Sequence, residues 1–340
     1  MRVLVVNAGS SSLKLRLLGD DDELLGTADL GADAAGLDEA LSDLGPADAV
    51  GHRVVHGGER FRDPVRIDAE VERALRELTA LAPLHQPKSL AALEAVGGAL
   101  PGVPAVACFD TAFHAGLPEA ASTYALPAEW RERWRIRRYG FHGLSHAWAS
   151  RRAGGGRVVT CHLGAGASLA AVRDGRCVDT TMGFTPLEGL VMATRSGSVD
   201  PGLLLWLLEE TGMPERELAE ALEHRSGVLA LAGTDDMREV VAQGGLALDV
   251  YLHRLRASIA AMTAALGGLD ALVFTGGVGE HSPEVRAGTA EGLAFLGVEI
   301  DGVRNTSGDE EIGAGRVRVM VVEAREDLEI TRGVRAVLGA

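Results

Sequence analysis

MRVLVVNAGSSSLK, residues 1–14, runs from an apolar strand into a small, hydroxyl-rich turn that ends on a lysine. Val3 to Val6 read as a β-branched strand buried on both faces, the pattern of a central strand in an α/β sheet. It breaks at Asn7-Ala8-Gly9, where glycine lets the backbone approach a ligand and asparagine tolerates turn geometry. Ser10, Ser11 and Ser12 supply hydroxyls, and successive backbone N–H groups of such a turn form an anion-binding concavity. Lys14 adds a mobile positive charge, and with Lys88 it is one of only two lysines in a chain whose other basic residues are arginine. The segment reads as a strand handing its chain to a phosphate; a plain β-hairpin with a serine turn is the alternative.

The 340 residues exceed the usual size of one domain and predict two cores. The formal charge of −15, with acidic residues evenly mixed, argues against nucleic acid or an anionic membrane as the main partner. A negatively charged substrate would need a local arginine cluster. Cys108, Cys161 and Cys177 lack metal-type spacing and read as small buried groups. No basic n-region with a long apolar h-region opens the sequence, and the apolar run Leu203 to Leu208 is too short to span a bilayer, so the expected location is cytoplasmic.

Strand-like runs recur at Val3 to Val6, Ala49 to Val55, Val103 to Cys108, Val158 to His162, Ala271 to Thr275 and Val317 to Val322. Helical patterns fall at about 67–82, 88–99, 143–152, 201–211, 214–223, 244–267, 283–296 and 326–338, and Asp200-Pro201 is an N-cap followed by a first-turn proline. The class is α/β with largely buried sheets. RVLVVNAGSSSLKLRLL near the start and RVVTCHLGAGASLAAVRDG from Arg157 both read strand, Gly/Ser turn, strand. This weak repeat predicts two related domains, 1–150 and 151–325, facing one nucleotide across a cleft, with the terminal helix 326–340 packing back on the first. Gly154-Gly155-Gly156 marks the boundary. A third candidate loop is Ala271-Leu-Val-Phe-Thr-Gly-Gly-Val-Gly-Glu280, a strand ending in a glycine turn, with the next helix opening at Ser282-Pro283.

Four further segments carry charge that a fold alone would not require. Arg53, within the apolar strand of GHRVVHGG, must be paired or serve a ligand. Asp110 follows the Val103 to Cys108 strand at the edge where α/β sheets bind ligands, or caps the next turn. RRYGFHGLSH places His142 and His146 four apart; without a third ligand a metal pair is disfavoured, His142 reads as a hydrogen-bond donor to an anion, and His146 as structural. MGFTPLEGLVMATRSG, residues 182–197, is a Gly/Pro-punctuated loop carrying Arg195.

NAGSSSLK, HRVVHGGE, APLH, FDTAFH, YGFHGLSH, HLGAGAS, MGFTPLEGL with TRSG, DDMR, FTGGVGE and REDLEI occur in the order found in acetate kinases, and the chain resembles that family nearly end to end. The family belongs to the acetate and sugar kinase, heat-shock ATPase and actin superfamily. The resemblance implies a homodimer of two ribonuclease-H-like (actin-like ATPase) domains with an interdomain nucleotide cleft, moving a phosphoryl group between ATP and a short carboxylate with Mg²⁺ or Mn²⁺. It further implies that Asn7, Asp110 and Glu326 hold or orient the metal and its waters, with Asp110 counted as catalytic. Arg53 and Arg195 would bind the carboxylate and the phosphoryl in flight, and His142 would support that phosphoryl. Ser10, Ser12 and Lys14 would form the phosphate loop. His162, Gly164 and Gly166, together with Asp236, Arg238, Gly277 and Gly279, would sit near the nucleotide. Val55, Leu84, Phe141 and Pro186 would wall the pocket for the substrate's methyl group.

The sequence departs from the family pattern at Ala165 and Leu144, where asparagine and threonine are usual, and at Gln86, Ser89, Ala193, Ser198 and His281. It is also shorter than most family members, mainly between Leu18 and Gly51 and near the C-terminal part. None of these changes removes a residue assigned to transfer, but several border the nucleotide and acceptor sites. Two other readings stand beside an acetate kinase: a kinase for propionate or another larger carboxylate, and a nucleotide-binding regulatory protein with little turnover.

Overall fold

The computed structural model describes residues 1–9, 12–82 and 86–339. Two compact units divide the chain: Met1–Ala115 with His142–Trp148 and Arg325–Ala340, and Gly116–Phe141 with Ala149–Ala324. The C-terminal helix therefore belongs to the first unit, and residues 116–141 to the second.

The first unit contains β1 (Val3–Ala8), β2 (Ser12–Leu18), β3 (Leu24–Gly31), β4 (Ala49–Val54), β5 (Val65–Arg66) and β6 (Ala105–Phe109), in the spatial order β3-β2-β1-β4-β6-β5. β1 pairs antiparallel with β2 and parallel with β4, and β4 pairs parallel with β6. Successive side chains of β1 alternate faces, and both faces are buried. Leu4 and Val6 pack with Leu15, Leu37, Leu41 and Val96 on one side. Val3 and Val5 pack with Val106, Ile330 and Val334 of helix Glu326–Leu338 on the other.

The second unit contains β7 (Arg157–Leu163), β8 (Ala167–Arg173), β9 (Arg176–Thr180), β10 (Ala271–Thr275) and β11 (Arg318–Val321), in the order β11-β10-β7-β8-β9. β7–β8 and β8–β9 are antiparallel, whereas β7–β10 and β10–β11 are parallel. Read from the other edge, this is the connectivity of β3-β2-β1-β4-β6, so the repeat seen in two short segments extends to two whole sheets. Cys108, Cys161 and Cys177 are buried free thiols, and burial pushes Cys108 up to about 12. Among the described residues no helix is long and apolar enough to cross a membrane.

Candidate functional site

Parallel pairing of β1, β4 and β6 brings three carboxyl-terminal strand ends to one edge of the first sheet, the edge at which open α/β sheets bind ligands. Asn7 lies near the end of β1, Arg53 near the end of β4, and Asp110 immediately after β6. Gly51 lets the terminal helix approach, since a Cβ there would stand 2.5 Å from Ile330 Cγ2. The first residue of that helix, Glu326, joins the same edge.

Arg53 is the hub. Its Nε donates to Asp110 Oδ1 at 3.0 Å and Oδ2 at 3.1 Å, its Nη2 to Asp110 Oδ2 at 2.6 Å, and its Nη1 to Asn7 Oδ1 at 3.1 Å. Asn7 Nδ2 donates to Glu326 Oε2 at 3.0 Å, and that oxygen lies 3.8 Å from Arg53 Nε. Burial pulls the guanidinium pKa down, but Asp110 and Glu326 outweigh it and hold Arg53 above its usual range. Burial pushes the Asp110 carboxyl up, and Arg53 opposes that shift. The Asp110 carboxylate faces Arg53 rather than capping the turn that follows it, which has no side-chain cap. A guanidinium carries five N–H bonds in a flat fork; among the described residues Nε–H and one N–H on each Nη are engaged, and the remaining Nη donors can face an anion.

The other candidates of this unit lie around the same edge. Ser12 opens β2, and Lys14 is exposed, paired across the sheet with Asn7 on one side and Asp29 on the other. Val55 is buried just past β4. His142 adopts a left-handed φ of 57° directly before helix Gly143–Ala153, and its carbonyl accepts from His146 N–H. His146 is buried, its ring edge-on to that of His114 at 5.7 Å between centroids. Ser10 and Leu84 lie outside the described residues. Gln86 is buried and bonds His56 and Leu75 carbonyls, and Leu144 joins the apolar cluster beneath the terminal helix.

In the second unit the β7–β8 tip carries His162, Gly164 and Gly166, and Gly164 N–H donates to Gly166 carbonyl at 3.0 Å. Ala165 is exposed at that tip, and its carbonyl accepts from Ala193 N–H at 3.1 Å. Two departures from the family pattern are thus hydrogen-bonded neighbours, Ala165 at the tip and Ala193 on the loop that leads to Arg195. The glycine segment after β10 is a correction to the expected free turn: the chain enters a short helix, Gly276–His281, at once. Gly276 has φ 78°, and a Cβ there would stand 2.8 Å from the Leu163 carbonyl, so residue and conformation are matched. Glu280 Oε1 accepts from the N–H groups of Gly276 and Ala324, fixing the turn that presents Gly277 and Gly279. Asp236 caps helix Met237–Gln243 and pairs with the exposed Arg238.

Arg195 Nε stands 3.4 Å from Glu223 Oε2, and its Nη1 donates to the Pro186 carbonyl at 3.5 Å. Burial lowers its pKa and Glu223 opposes this. Phe141 is buried, and Ser198 Oγ accepts from Gly189 N–H within the same loop. Glu223, Glu280 and Glu188 were not singled out from sequence. A carboxylate beside a loop arginine, or directly after a glycine turn, is the signal that marks them.

Among the described residues no group of three or more His, Cys, Asp or Glu could hold a metal. Magnesium asks for less: it takes hard oxygen donors, keeps several waters, and needs one or two carboxylates alongside substrate phosphates. The Glu326 carboxylate, oriented by the Asn7 amide, fits that requirement, whereas Asp110 and the Asn7 amide oxygen both accept from Arg53.

A model of the acetokinase family matches residues 34–332. Acetate kinases of Nostoc punctiforme (44% identical, 98% of both chains covered) and of a Thermotoga species (43%, 99% of both) align over 398 positions, so these relatives carry segments that this chain lacks. Among solved structures, a propionate kinase from Francisella tularensis superposes with TM-score 0.92 at 34% identity over 98% of both chains. Porphyromonas gingivalis acetate kinase does so with TM-score 0.89 at 34% identity over 99% of both. The duplicated α/β sheets, the arginine-centred edge and these relationships together identify the chain as a member of the acetokinase family.

Proposed function

We propose that this chain is an acetate kinase, transferring the γ-phosphoryl of ATP to acetate, or the reverse from acetyl phosphate to ADP. The observation that carries the reading is Arg53, a partly buried guanidinium held by Asp110 and Asn7 with further N–H donors directed by that clamp. A carboxylate is already an anionic nucleophile at neutral pH, so no general base is required. The difficulty is that two anions must meet, which makes positioning and charge neutralisation the work of the site.

Arg53 and Arg195 bind the carboxylate and the phosphoryl in flight, and His142 donates to that phosphoryl. Asp110 holds Arg53 in its transfer geometry. Ser12 and Lys14 belong to the phosphate loop with Ser10; His162, Gly164, Gly166, Asp236, Arg238, Gly277 and Gly279 receive the nucleotide. Val55, Phe141 and Pro186, with Leu84, wall the methyl pocket. Glu326 and Asn7 would hold or orient Mg²⁺, or Mn²⁺ in its place, which would neutralise phosphate oxygens.

The protein acts in the cytoplasm as a homodimer, without nucleic acid or membrane. Helix Pro201–Glu210 supports the dimer: it buries none of its residues, and Leu203, Leu205 and Trp206 are exposed on it. A hydroxamate assay with ATP, Mg²⁺ and a panel of carboxylates tests the reading. Product with acetate is expected. Product only with another acid moves the assignment to that acid, propionate being favoured by the Francisella tularensis relative, and ATP binding without product marks a regulatory protein.

A further inference from the structure

The loop that carries Pro186 is fastened by a side-chain cluster outside the residues assigned above. Arg138 Nη2 donates to Glu188 Oε1 at 2.7 Å, and its Nη1 donates to the carbonyls of Thr181 at 3.1 Å and Met182 at 3.0 Å. The Tyr124 hydroxyl donates to Glu188 Oε2 and accepts from Phe184 N–H at 2.9 Å. The Arg138 guanidinium also lies over the Tyr124 ring, 5.5 Å from its centroid. Behind these side chains, Tyr139 and Gly140 N–H groups donate to the Gly183 carbonyl at 3.1 and 3.3 Å. A Cβ on Gly183 would overlap the Glu188 carboxylate and the Tyr124 hydroxyl, so glycine leaves the space that the carboxylate occupies.

Three segments meet at one carboxylate: Tyr124, Arg138 in the irregular stretch leading to Phe141, and residues 181–188. Phe141 follows Arg138 by three residues, Pro186 precedes Glu188 by two, and the Pro186 carbonyl accepts from Arg195. Resting on the carboxylate-kinase reading, we propose that Glu188 is a positioning residue for the acceptor site, setting Phe141, Pro186 and Arg195 through Arg138 and Tyr124. Glu188 and Tyr124 touch none of the residues assigned to the nucleotide in the bonds described, so loosening them acts on the carboxylate side of the reaction. A half-buried charge-assisted cluster of this kind constrains its loop more than neutral contacts would.

The test uses the full-length protein carrying Glu188→Gln, which keeps size but loses charge, and separately Tyr124→Phe. KM for acetate, KM for ATP and the ratio of kcat/KM for propionate over acetate are measured with melting temperature. Glu188→Gln is expected to raise acetate KM at least about fivefold and shift the acid ratio at least about threefold, with ATP KM within about twofold; Tyr124→Phe follows in the same direction. Equal rises in both KM values with a lowered melting temperature indicate a structural role only and overturn the proposal. So does an unchanged acetate KM and acid ratio in either folded variant. A wild-type protein inactive on every carboxylate instead overturns the kinase reading itself, and this inference with it.

Discussion

Arg53 lies on β4 and Asp110 immediately follows the neighbouring parallel strand β6, and the guanidinium of the first takes both carboxylate oxygens of the second, the closest contact being 2.6 Å. Asp110 is 2% exposed and Arg53 17%, so each charge depends on the other for what water would otherwise supply. Removing one partner leaves the other buried and only partly matched by Glu326. Asp110→Ala is therefore expected to lower unfolding free energy by about 2 to 3 kcal/mol, read from the urea midpoint at constant slope. An unchanged midpoint would show that the pair is not what satisfies Arg53.

Acid should destabilise the protein through two buried histidines. His52 and His56 are almost wholly buried, and burial lowers each pKa from 6.5 to about 4. The fold thus favours the neutral rings, so their contribution is complete above pH 6.5 and is lost as pH falls through 4, on the order of 3 kcal/mol each. His56 Nδ1 accepts from Gly58 N–H, a bond that protonation removes. Stability measured from pH 7 to 4 is expected to fall less steeply in His52→Gln than in the parent, and identical slopes would remove His52 from the account.

If Val55, buried just past β4, walls the acceptor pocket as proposed, acceptor size is limited after about three carbons. Val55→Ala is expected to relax the limit by roughly 1 kcal/mol per methylene accommodated. Hexanoate used as well as acetate by the parent enzyme would mean that Val55 does not bound the pocket.

Ala165 gives a gain-of-function test. It is exposed, and its carbonyl is committed to Ala193, so an asparagine side chain can be added at the hairpin tip without displacing a neighbour. If a side-chain amide there contacts phosphate mainly in the transition state, Ala165→Asn raises kcat by up to about tenfold, with little change in carboxylate KM. A lower kcat would mean that another group already fills this position.

Much of the framework was legible because apolar runs and glycine breaks dictate it. β1, β10 and the terminal helix fall where periodicity puts them, and Asp200 caps the helix that Pro201 begins, its carboxylate accepting from Gly202 N–H. Arg53 in an apolar strand had to be paired, yet its partner lies 57 residues away and only the parallel register of β4 and β6 supplies it. The glycines after β10 read as a turn because glycine is a poor helix former, but Glu280 accepting from Gly276 N–H stabilises the helix start that propensity disfavours. Glu188 was invisible for the opposite reason: its partners Tyr124 and Arg138 come from segments with no periodic relation to it.

If the Arg53 cluster is the transfer site of a carboxylate kinase, acetyl phosphate formation by the parent protein and by Arg53→Ala tests it most directly, with circular dichroism confirming that both are folded. Turnover with acetate and Mg²⁺-ATP is expected in the parent and a loss of at least about 10²-fold in the variant, because a charge-assisted contact that strengthens during transfer is gone. A folded Arg53→Ala protein with near-parental turnover would contradict it.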